Sequence, residues 1–544
     1  MSDTWNRATH LRRLSEDGPF DVLIVGGGVT GCGAALDLAD RGLRVALVEQ
    51  EDFAHGTSGR STKLFHGGIR YLPHLDLHLV AEGLREQKIL ARIADFLYHP
   101  LRFVIPLYRD RGLADAPRWF ARGRRAPLAL RAGLVLYDLL GGPGRPGKRH
   151  RRLDAAETLR RVPGLRPEGL VGGFAYSDAQ TDDARLVVTL AKTAVYRGDA
   201  VAVGRIAARR LHRDGDAYVA ELEDRESASL FEVRAGAVLA ATGAFDLPGV
   251  DGAAPHLQLV RSKGVHIITE RSRLGIGDDA VVLPETEDGR VLFVIPWLDH
   301  VMVGTTDTPY DGDLAHPRPD PEDIEYLIRH VVDYLDVAPF TPLAAFAGLR
   351  ALADTKAGST ARASREHLIA EPAPGYVAVA GGKLTTYRRI AAEASDRVAA
   401  HLGVRRAGRT DRIGLVGSGS DLESLRSGLV RLGVDASDAS AVTGRYGGET
   451  ARILEIMRDR PETIRPLGGG VVAAEVVYAA RHEAATTVAD VALRRTHLGW
   501  FSADHGRGAA PTVAGLLGDE LGWSDAQRRR AVAAYEEELA AEAL

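Results

Sequence analysis

Cysteine is nearly absent from this chain of 544 residues, which contains a single thiol, Cys32. One cysteine excludes an intrachain disulfide, and such low usage is typical of a reducing compartment, so we expect a cytoplasmic protein. Because Cys32 lies in a glycine-rich turn, we interpret it as a small buried residue rather than a redox thiol. No group of His and Cys residues has metal-ligand spacing, so no metal site is predicted.

Long apolar runs and a strong charge imbalance are also missing. No run reaches the roughly 18 apolar residues of a transmembrane helix. The polar N-terminus, residues 1–18, has neither a signal-peptide nor a lipidation pattern. The net charge of −4 predicts no nucleic-acid partner. With 45% apolar and 26% charged residues, the composition is that of an ordinary soluble enzyme, and the length allows two or three domains.

The most informative stretch begins with a short β-branched, apolar run at residues 21–25. Gly26, Gly28 and Gly31 follow at once in G-x-G-x-x-G spacing, which suits a tight turn, a close approach to a pyrophosphate and close helix packing. A second predicted strand ends at Glu49, about 18 residues further on, where a carboxylate accepts hydrogen bonds from a ribose 2′-hydroxyl. The pattern therefore predicts FAD or NAD rather than NADP.

Residues 52–72 form a second glycine-, serine- and threonine-rich stretch, with Lys63, His66 and Arg70 interleaved. Such a segment packs poorly in a core but offers many backbone N–H groups and hydroxyls. It is suited to follow the phosphates and the flavin edge of an extended dinucleotide. The alternative is a solvated surface loop.

This stretch resembles the second flavin-contacting segment of FAD-dependent, aerobic-type glycerol-3-phosphate dehydrogenases, a family within the group similar to D-amino acid oxidase. Other stretches resemble segments of that family in the same order: TDDARLV at 181–187, KGVHI at 263–267, FVIPW followed by GTTD ending at Asp307, GLR at 348–350, and GGKLTTYR at 381–388. The resemblance covers roughly residues 20–398 and extends more weakly into the C-terminal region.

The fold implied is α/β, with a Rossmann-like FAD-binding domain, an antiparallel-sheet substrate domain and a C-terminal α-helical domain. The oxidoreductase region is predicted at 1–400. Its FAD-binding lobe comprises about 18–91, 173–260 and 346–400, and its substrate lobe about 92–172 and 261–345. Residues 401–544 have a helical, alanine-rich pattern without cofactor turns.

FAD is the cofactor that the resemblance implies. The residues expected to contact it are Gly26, Gly28, Val29, Thr30, Gly31, Glu49, Gln50, Thr57, Ser58, Ser61, Thr62, Lys63, Leu64, His66, Gly67, Gly68, Ala241, Thr242, Gly243, Gly381, Gly382, Lys383, Leu384 and Thr385.

The resemblance also implies glycerol 3-phosphate as the substrate, a dianion that requires converging cations. Arg70, Tyr71, His266, Arg350 and Lys383 are the expected substrate-binding residues, and His266, Arg350 and Lys383 are also expected to be catalytic. His266 is the candidate base because imidazole titrates near neutral pH, although a structural histidine is an equally good interpretation. Lys383 is alternatively placed to stabilise negative charge on the reduced flavin.

The predicted reaction is oxidation of sn-glycerol 3-phosphate to dihydroxyacetone phosphate, with electrons passed to a membrane quinone. Three alternatives stay open: an oxidase that uses O2, an amino or hydroxy acid oxidase in which Arg350 binds a carboxylate, and a flavin-binding scaffold without turnover. A homodimer is a further expected assembly.

A basic, leucine-rich segment at residues 118–152 has ten Arg or Lys residues and one acid, Asp138. This pattern favours binding to an anionic membrane surface, with the protein peripheral on the inner face of the cell membrane. The alternative is a solvated basic face over a buried helix.

Overall fold

The computed structural model describes residues 4–74, 76–113, 126–251, 259–353 and 367–542. The strands in these ranges are β1 (Phe20–Val25), β2 (Val45–Glu49), β3 (Leu64–Phe65), β4 (His99–Tyr108), β5 (Arg151–Leu153), β6 (Leu170–Gln180), β7 (Val201–Gly204), β8 (Ile206–Asp214), β9 (Ala217–Asp224), β10 (Ser229–Ala240), β11 (Leu259–Glu270), β12 (Ala280–Leu283), β13 (Leu292–Trp297), β14 (His300–Gly304), β15 (Thr308–Pro309), β16 (Ala344–Ala353), β17 (Leu368–Ala373), β18 (Tyr376–Ala380), β19 (Pro466–Gly468) and β20 (Val471–Val472).

The α-helices in the same ranges are α1 (Arg7–Glu16), α2 (Val29–Asp40), α3 (Leu77–Ile93), α4 (Ala126–Gly141), α5 (Ala155–Arg161), α6 (Asp183–Gly198), α7 (Arg271–Leu274), α8 (Pro321–Tyr334), α9 (Tyr387–His401), α10 (Leu422–Arg431), α11 (Ala436–Tyr446), α12 (Thr450–Asp459), α13 (Ala473–His482), α14 (Leu498–Phe501), α15 (Ala510–Leu521) and α16 (Asp525–Ala541). None of these helices has both the length and the apolar character needed to cross a bilayer.

The first sheet has the order β17-β18-β10-β1-β2-β7, with β8 and β9 added beside β10. Strand β1 is central and parallel to both β10 and β2, as expected for a buried, β-branched run between two parallel neighbours. Helix α2 packs on this sheet with α6 and α9. The carboxyl ends of β1, β2 and β10 therefore meet at one edge, where ligands of doubly wound sheets bind.

The second sheet has the order β15-β11-β14-β13-β12-β4-β6-β3, with β16 paired to β11 and β5 to β6. It is largely antiparallel, as predicted, but β12 and β4 pair in parallel, so the sheet is mixed. The predicted boundaries assigned residues 173–180 and 346–353 to the FAD lobe, whereas these residues belong to β6 and β16 of this second sheet. A strand-like run in the sequence does not show which sheet the strand joins, because the partner strand is distant in sequence.

The C-terminal region is helical, as expected, apart from the short β19–β20 pair. Buried ion pairs join it to the rest of the protein. Arg185 of α6 binds Glu483 through two hydrogen bonds of 2.7 Å, and both side chains are almost fully buried. Arg494 and Arg495 both donate to the buried carboxylate of Asp52. Since a buried charge is costly without its partner, these pairs hold the two regions in one arrangement.

Replacing Glu483 with Gln is expected to destabilise the protein by about 3–5 kcal/mol, because the Arg185 guanidinium would stay buried without a countercharge. Glu423→Gln is the control, since the Glu423–Arg426 pair is exposed and is expected to contribute about 1 kcal/mol or less. Thermal denaturation of both variants measures the difference. Similar melting temperatures for the two variants would contradict the structural importance of the buried pair.

Candidate active site

A cavity of about 1070 Å³ is lined by residues from both sheets. Ligand sites commonly have volumes of about 300–1,000 Å³, so this cavity is large enough for an extended dinucleotide and a small substrate. Its wall includes the ends of β1 and β2, the start of α2, and parts of β11 and β16.

Two glycines allow the backbone to close tightly at one end of the cavity. Gly26 adopts φ +115°, and a Cβ atom at this position would overlap the carbonyl oxygen of Ala241. A Cβ at Gly31 would overlap the carbonyl oxygen of Gly26. Helix α2 begins at Val29, directly after this turn, so its N-terminal N–H groups lie at the cavity wall. This end has the geometry that a pyrophosphate requires.

Glu49 lines the same end of the cavity. Its Oε2 accepts a hydrogen bond of 2.6 Å from the Gly27 N–H, and its Oε1 accepts one of 2.9 Å from the Glu51 N–H. Burial raises the pKa of Glu49 to about 7. The two backbone bonds fix the carboxyl group in the cavity wall, and its predicted contact with a ribose hydroxyl stays a prediction.

Most residues expected to contact the cofactor lie in the cavity wall. These are Gly26, Gly28, Val29, Thr30, Glu49, Gln50, Thr57, Ser58, Ser61, Thr62, Leu64, His66, Gly68, Ala241, Thr242, Gly243, Gly381, Gly382, Lys383 and Leu384. Four others, Gly31, Lys63, Gly67 and Thr385, do not line it and instead support it from behind.

Each of these four residues has a structural reason for its position. Because Gly31 has no Cβ, α2 can pack directly against the carbonyl oxygen of Gly26 in the turn. The Lys63 ammonium forms an ion pair with buried Asp183, because an ammonium group inside the protein requires a countercharge. The Gly67 N–H donates to the Tyr137 hydroxyl at 2.9 Å. The Thr385 hydroxyl bonds both backbone groups of His66 and so fixes that wall residue.

Arg350, on β16, is a cation that the second sheet presents to the cavity. Its Nη2 donates to the Thr305 hydroxyl at 3.0 Å, and both Nη atoms lie 3.2 Å from the Thr306 carbonyl oxygen. Asp307 lies 3.5 Å from Nη1, and the guanidinium is about one-third exposed toward the cavity. These contacts orient a planar fork that is suited to binding an anion.

Lys383 and Tyr71 also line the cavity, and the Lys383 ammonium lies 4.0 Å from the centre of the Tyr71 ring. The backbone of Arg70 lies in a short 3₁₀ helix, Ile69–His74, while its side chain is outside the described part of the structure. The expected phosphate contact of Arg70 therefore stays a prediction.

His266 lies on β11 opposite Gly304 of β14 and Phe346 of β16. Its Nε2 is 3.1 Å from the Thr62 hydroxyl, and its ring stacks on Phe346 with a centroid distance of 5.0 Å. Burial, together with the positive charges of Arg350 and Lys63, lowers the pKa of His266 to about 3. The imidazole is therefore neutral across the physiological pH range.

Several wall residues were missed by sequence reasoning, among them Arg290, Asp178 and Asp307. Arg290 donates to the Asp307 carbonyl oxygen at 2.8 Å and forms an ion pair with Asp288 at 3.0 Å. A signal was present for one of them, since Asp307 ends the GTTD stretch. Asp178 lies within β6, where one acid in an apolar run gives no indication of a cavity.

Comparison with known proteins agrees with this geometry. Residues 21–397 match the family described as FAD dependent oxidoreductase, and residues 408–528 match the C-terminal domain of alpha-glycerophosphate oxidase. The chain is 37% identical to glycerol-3-phosphate dehydrogenase 2 of Mycobacterium tuberculosis (strain ATCC 25618 / H37Rv), over 99% of this chain and 91% of the relative. The chain belongs to the FAD-dependent glycerol-3-phosphate dehydrogenase family.

Other members of the family show the same relationship. The aerobic glycerol-3-phosphate dehydrogenase of Staphylococcus saprophyticus is 31% identical, over 99% of this chain and 97% of the relative. The structure of the glycerol-3-phosphate dehydrogenase from Bacillus halodurans complexed with FAD has a TM-score of 0.78 and 27% identity, covering 98% of this chain and 97% of that one.

Family membership confirms FAD as the cofactor and confirms the predicted fold class. The glycine turn, the Glu49 carboxyl group and the volume of the cavity fit this dinucleotide.

Gly31→Ala is expected to abolish most FAD binding, because its Cβ cannot fit beside the Gly26 carbonyl without opening the turn. The flavin-to-protein absorbance ratio of the purified variant measures this loss. Gly444→Ala is the control, since a Cβ in that part of α11 meets open space and alanine favours a helix by up to about 1 kcal/mol. A full complement of FAD in Gly31→Ala would refute the proposed role of the turn.

Proposed function

We propose that this protein oxidises sn-glycerol 3-phosphate to dihydroxyacetone phosphate and that its electrons pass to a membrane quinone. The observation that carries the proposal is that Arg350 and His266 both line one cavity that is large enough for FAD. Relatives that match nearly the whole chain are named for glycerol 3-phosphate, which supports this substrate.

The first task of the site is to bind the phosphate dianion. Arg350 offers paired N–H donors, while Lys383 contributes a point charge and Tyr71 a hydroxyl. Because Thr305 and Thr306 already orient the guanidinium, little conformational freedom is lost when the anion binds. The substrate is thereby held with its reacting carbon at a fixed position.

The second task is to accept a proton. Oxidation at C2 removes a hydride and the hydroxyl proton together, and FAD supplies the hydride acceptor when it is bound. His266 is the proposed acceptor of that proton, since its imidazole lines the cavity and is neutral before substrate binds. With a pKa of about 3 it is a weak base on its own, so the transfer depends on the negative charge that the substrate brings. The Thr62 hydroxyl, 3.1 Å from Nε2, orients the ring. Negative charge on a nearby phosphate raises the pKa of an imidazole and favours the transfer.

Anaerobic addition of glycerol 3-phosphate tests the proposed reaction directly. Bleaching of the flavin absorbance is expected, followed by recovery of the colour when a quinone analogue is added. Bleaching that is reversed by O2 alone would favour the oxidase alternative. No bleaching would contradict the proposed substrate.

Replacing Arg350 with Ala is expected to lower kcat/KM for glycerol 3-phosphate by about 10- to 150-fold, the equivalent of a charged hydrogen bond of roughly 1.5–3 kcal/mol. Lysine is expected to rescue only part of the activity, because it lacks the planar fork. The FAD content should remain normal. Glycerol, a poor substrate without phosphate, is the control: an equal loss on glycerol would show that Arg350 does not act through the phosphate.

Membrane association is proposed for the surface around α4. Leu128 and Leu139 on this helix are 65% and 71% exposed, and Val135 is exposed on the same face. Exposed basic side chains follow it at Lys148, Arg149, Arg151 and Arg152. An apolar helix face beside basic residues suits an anionic lipid surface.

Five of the ten basic residues in the predicted segment do not contribute to this surface in the described structure. Arg145 is nearly buried and forms an ion pair with Asp138 at 2.7 Å, so its charge is held inside the protein rather than offered to lipid. Arg118, Arg122, Arg124 and Arg125 lie outside the described residues.

The double variant Arg149→Ala/Arg152→Ala is expected to bind anionic vesicles more weakly, because each basic residue near the surface contributes about 1 kcal/mol at low salt. Sedimentation with phosphatidylglycerol vesicles measures the binding, and Arg426→Ala, on an exposed helix of the C-terminal region, is the control. Equal binding of the unaltered protein to neutral and anionic vesicles would remove the electrostatic argument.

A further inference from the structure

Aromatic side chains connect the C-terminal domain to the active-site imidazole. The ring of Trp500, on α14, packs edge-on against Phe346 with a centroid distance of 5.3 Å. Phe346 in turn stacks on His266 at 5.0 Å with an interplanar angle of 17°. Phe346 and His266 are only 3% and 2% exposed, so the contact is continuous from one domain to the other.

Helix α14 is fixed against the body of the protein on both sides of Trp500. His497 lies 2.5 Å from the carboxylate of Asp182, the residue that caps α6. The Phe501 ring packs on Trp297 at 5.0 Å. The indole N–H of Trp500 donates to the Leu493 carbonyl oxygen at 3.0 Å, which sets the orientation of its ring. Trp500 is therefore a rigid support for Phe346.

The other surroundings of His266 come from the oxidoreductase region. The Thr62 hydroxyl lies within hydrogen-bond distance of His266 Nε2. The imidazole ring also lies so close to Gly304 that a Cβ at Gly304 would overlap the ring. The charged groups that act on the imidazole are Arg350 and Lys63, both cationic. The face covered by Phe346 depends on the C-terminal domain, because Trp500 backs that ring.

We propose that Trp500 is a positioning residue, through which the C-terminal domain holds Phe346 and thereby the His266 imidazole in the orientation that the reaction needs. This inference rests on the proposed function of His266 as the proton acceptor. It assigns the C-terminal domain a part in catalysis without direct contact with substrate or FAD.

The Trp500→Ala variant is expected to lose about 10- to 100-fold in kcat, since displacement of a catalytic group by about 1 Å has an effect of this size. KM for glycerol 3-phosphate should change less than about threefold, because the phosphate-binding cations are untouched. FAD content should stay normal, since Trp500 is not in the cavity wall. Trp500→Phe keeps an aromatic ring and is expected to restore most of the activity.

Trp523→Ala is the matched control. Trp523 is a partly buried tryptophan that packs in the core of the same C-terminal domain. An equal fall in kcat in Trp523→Ala would show that general destabilisation of the domain is responsible and would overturn the proposal. Unchanged kcat in Trp500→Ala would overturn it as well. If Trp500→Ala does not fold, Phe346→Leu is measured instead. This variant removes the ring through which Trp500 contacts His266, and the same fall in kcat is expected.

The pH profile of kcat/KM distinguishes positioning of the imidazole from a general loss of stability, because a loss of stability alone does not shift the pKa of His266. In the unaltered protein the pKa of His266 is low, so protonation of this residue is not expected to change kcat/KM near neutral pH. Looser packing in Trp500→Ala admits water and raises that pKa toward about 6.5, so kcat/KM should fall as the pH decreases through this range. An unshifted profile would contradict positioning of the imidazole.

The same shift is measurable without turnover. The imidazole carbon resonance of His266, assigned with the His266→Gln variant in histidine-labelled holoenzyme, should titrate at higher pH in Trp500→Ala than in the unaltered protein. If the unaltered protein fails to oxidise glycerol 3-phosphate, the proposed function is wrong, and this titration still decides whether Trp500 holds the ring. An unchanged titration would overturn the inference.

Discussion

The close approach of backbone segments at Gly26 and Gly31 is the constraint on which the rest of the site depends. The absence of a Cβ at Gly31 lets α2 start directly beside the first strand. That contact aims the helix N-terminus at the cavity and places the end of β2, with Glu49, next to it. The first sheet thereby forms one part of the cavity wall, and β11 and β16 of the second sheet form another.

Buried electrostatic pairing is the second constraint. Cations such as Arg185, Arg495 and Lys63 are almost fully buried, and each has a carboxylate partner. Such pairs contribute modestly to net stability, but the loss of one partner is costly, so they favour one arrangement of the domains over others. The aromatic contacts from Trp500 to His266 depend on that arrangement, because α14 is held by the same interface.

Local patterns predicted the dinucleotide fold and most of the cofactor wall well. The glycine turn and the buried strand depend on neighbouring residues, so their spacing is readable along the chain. Errors arose where the partner is remote. β16 carries Arg350 into the second sheet through its pairing with β11, which begins about 85 residues earlier. Lys63, predicted to contact the cofactor, forms an ion pair with Asp183, which lies 120 residues further along the chain, so its position behind the cavity wall was not visible from local pattern.

The sequence by itself determined the family, FAD as the cofactor and most of the residues that line the cavity, because motif spacing and residue chemistry are local properties. Tertiary structure alone decided that His266 and Arg350 face one cavity, that the imidazole is buried and neutral, and that Trp500 supports it from another domain. Those facts depend on strand register, desolvation and packing, which arise only when segments hundreds of residues apart come into contact.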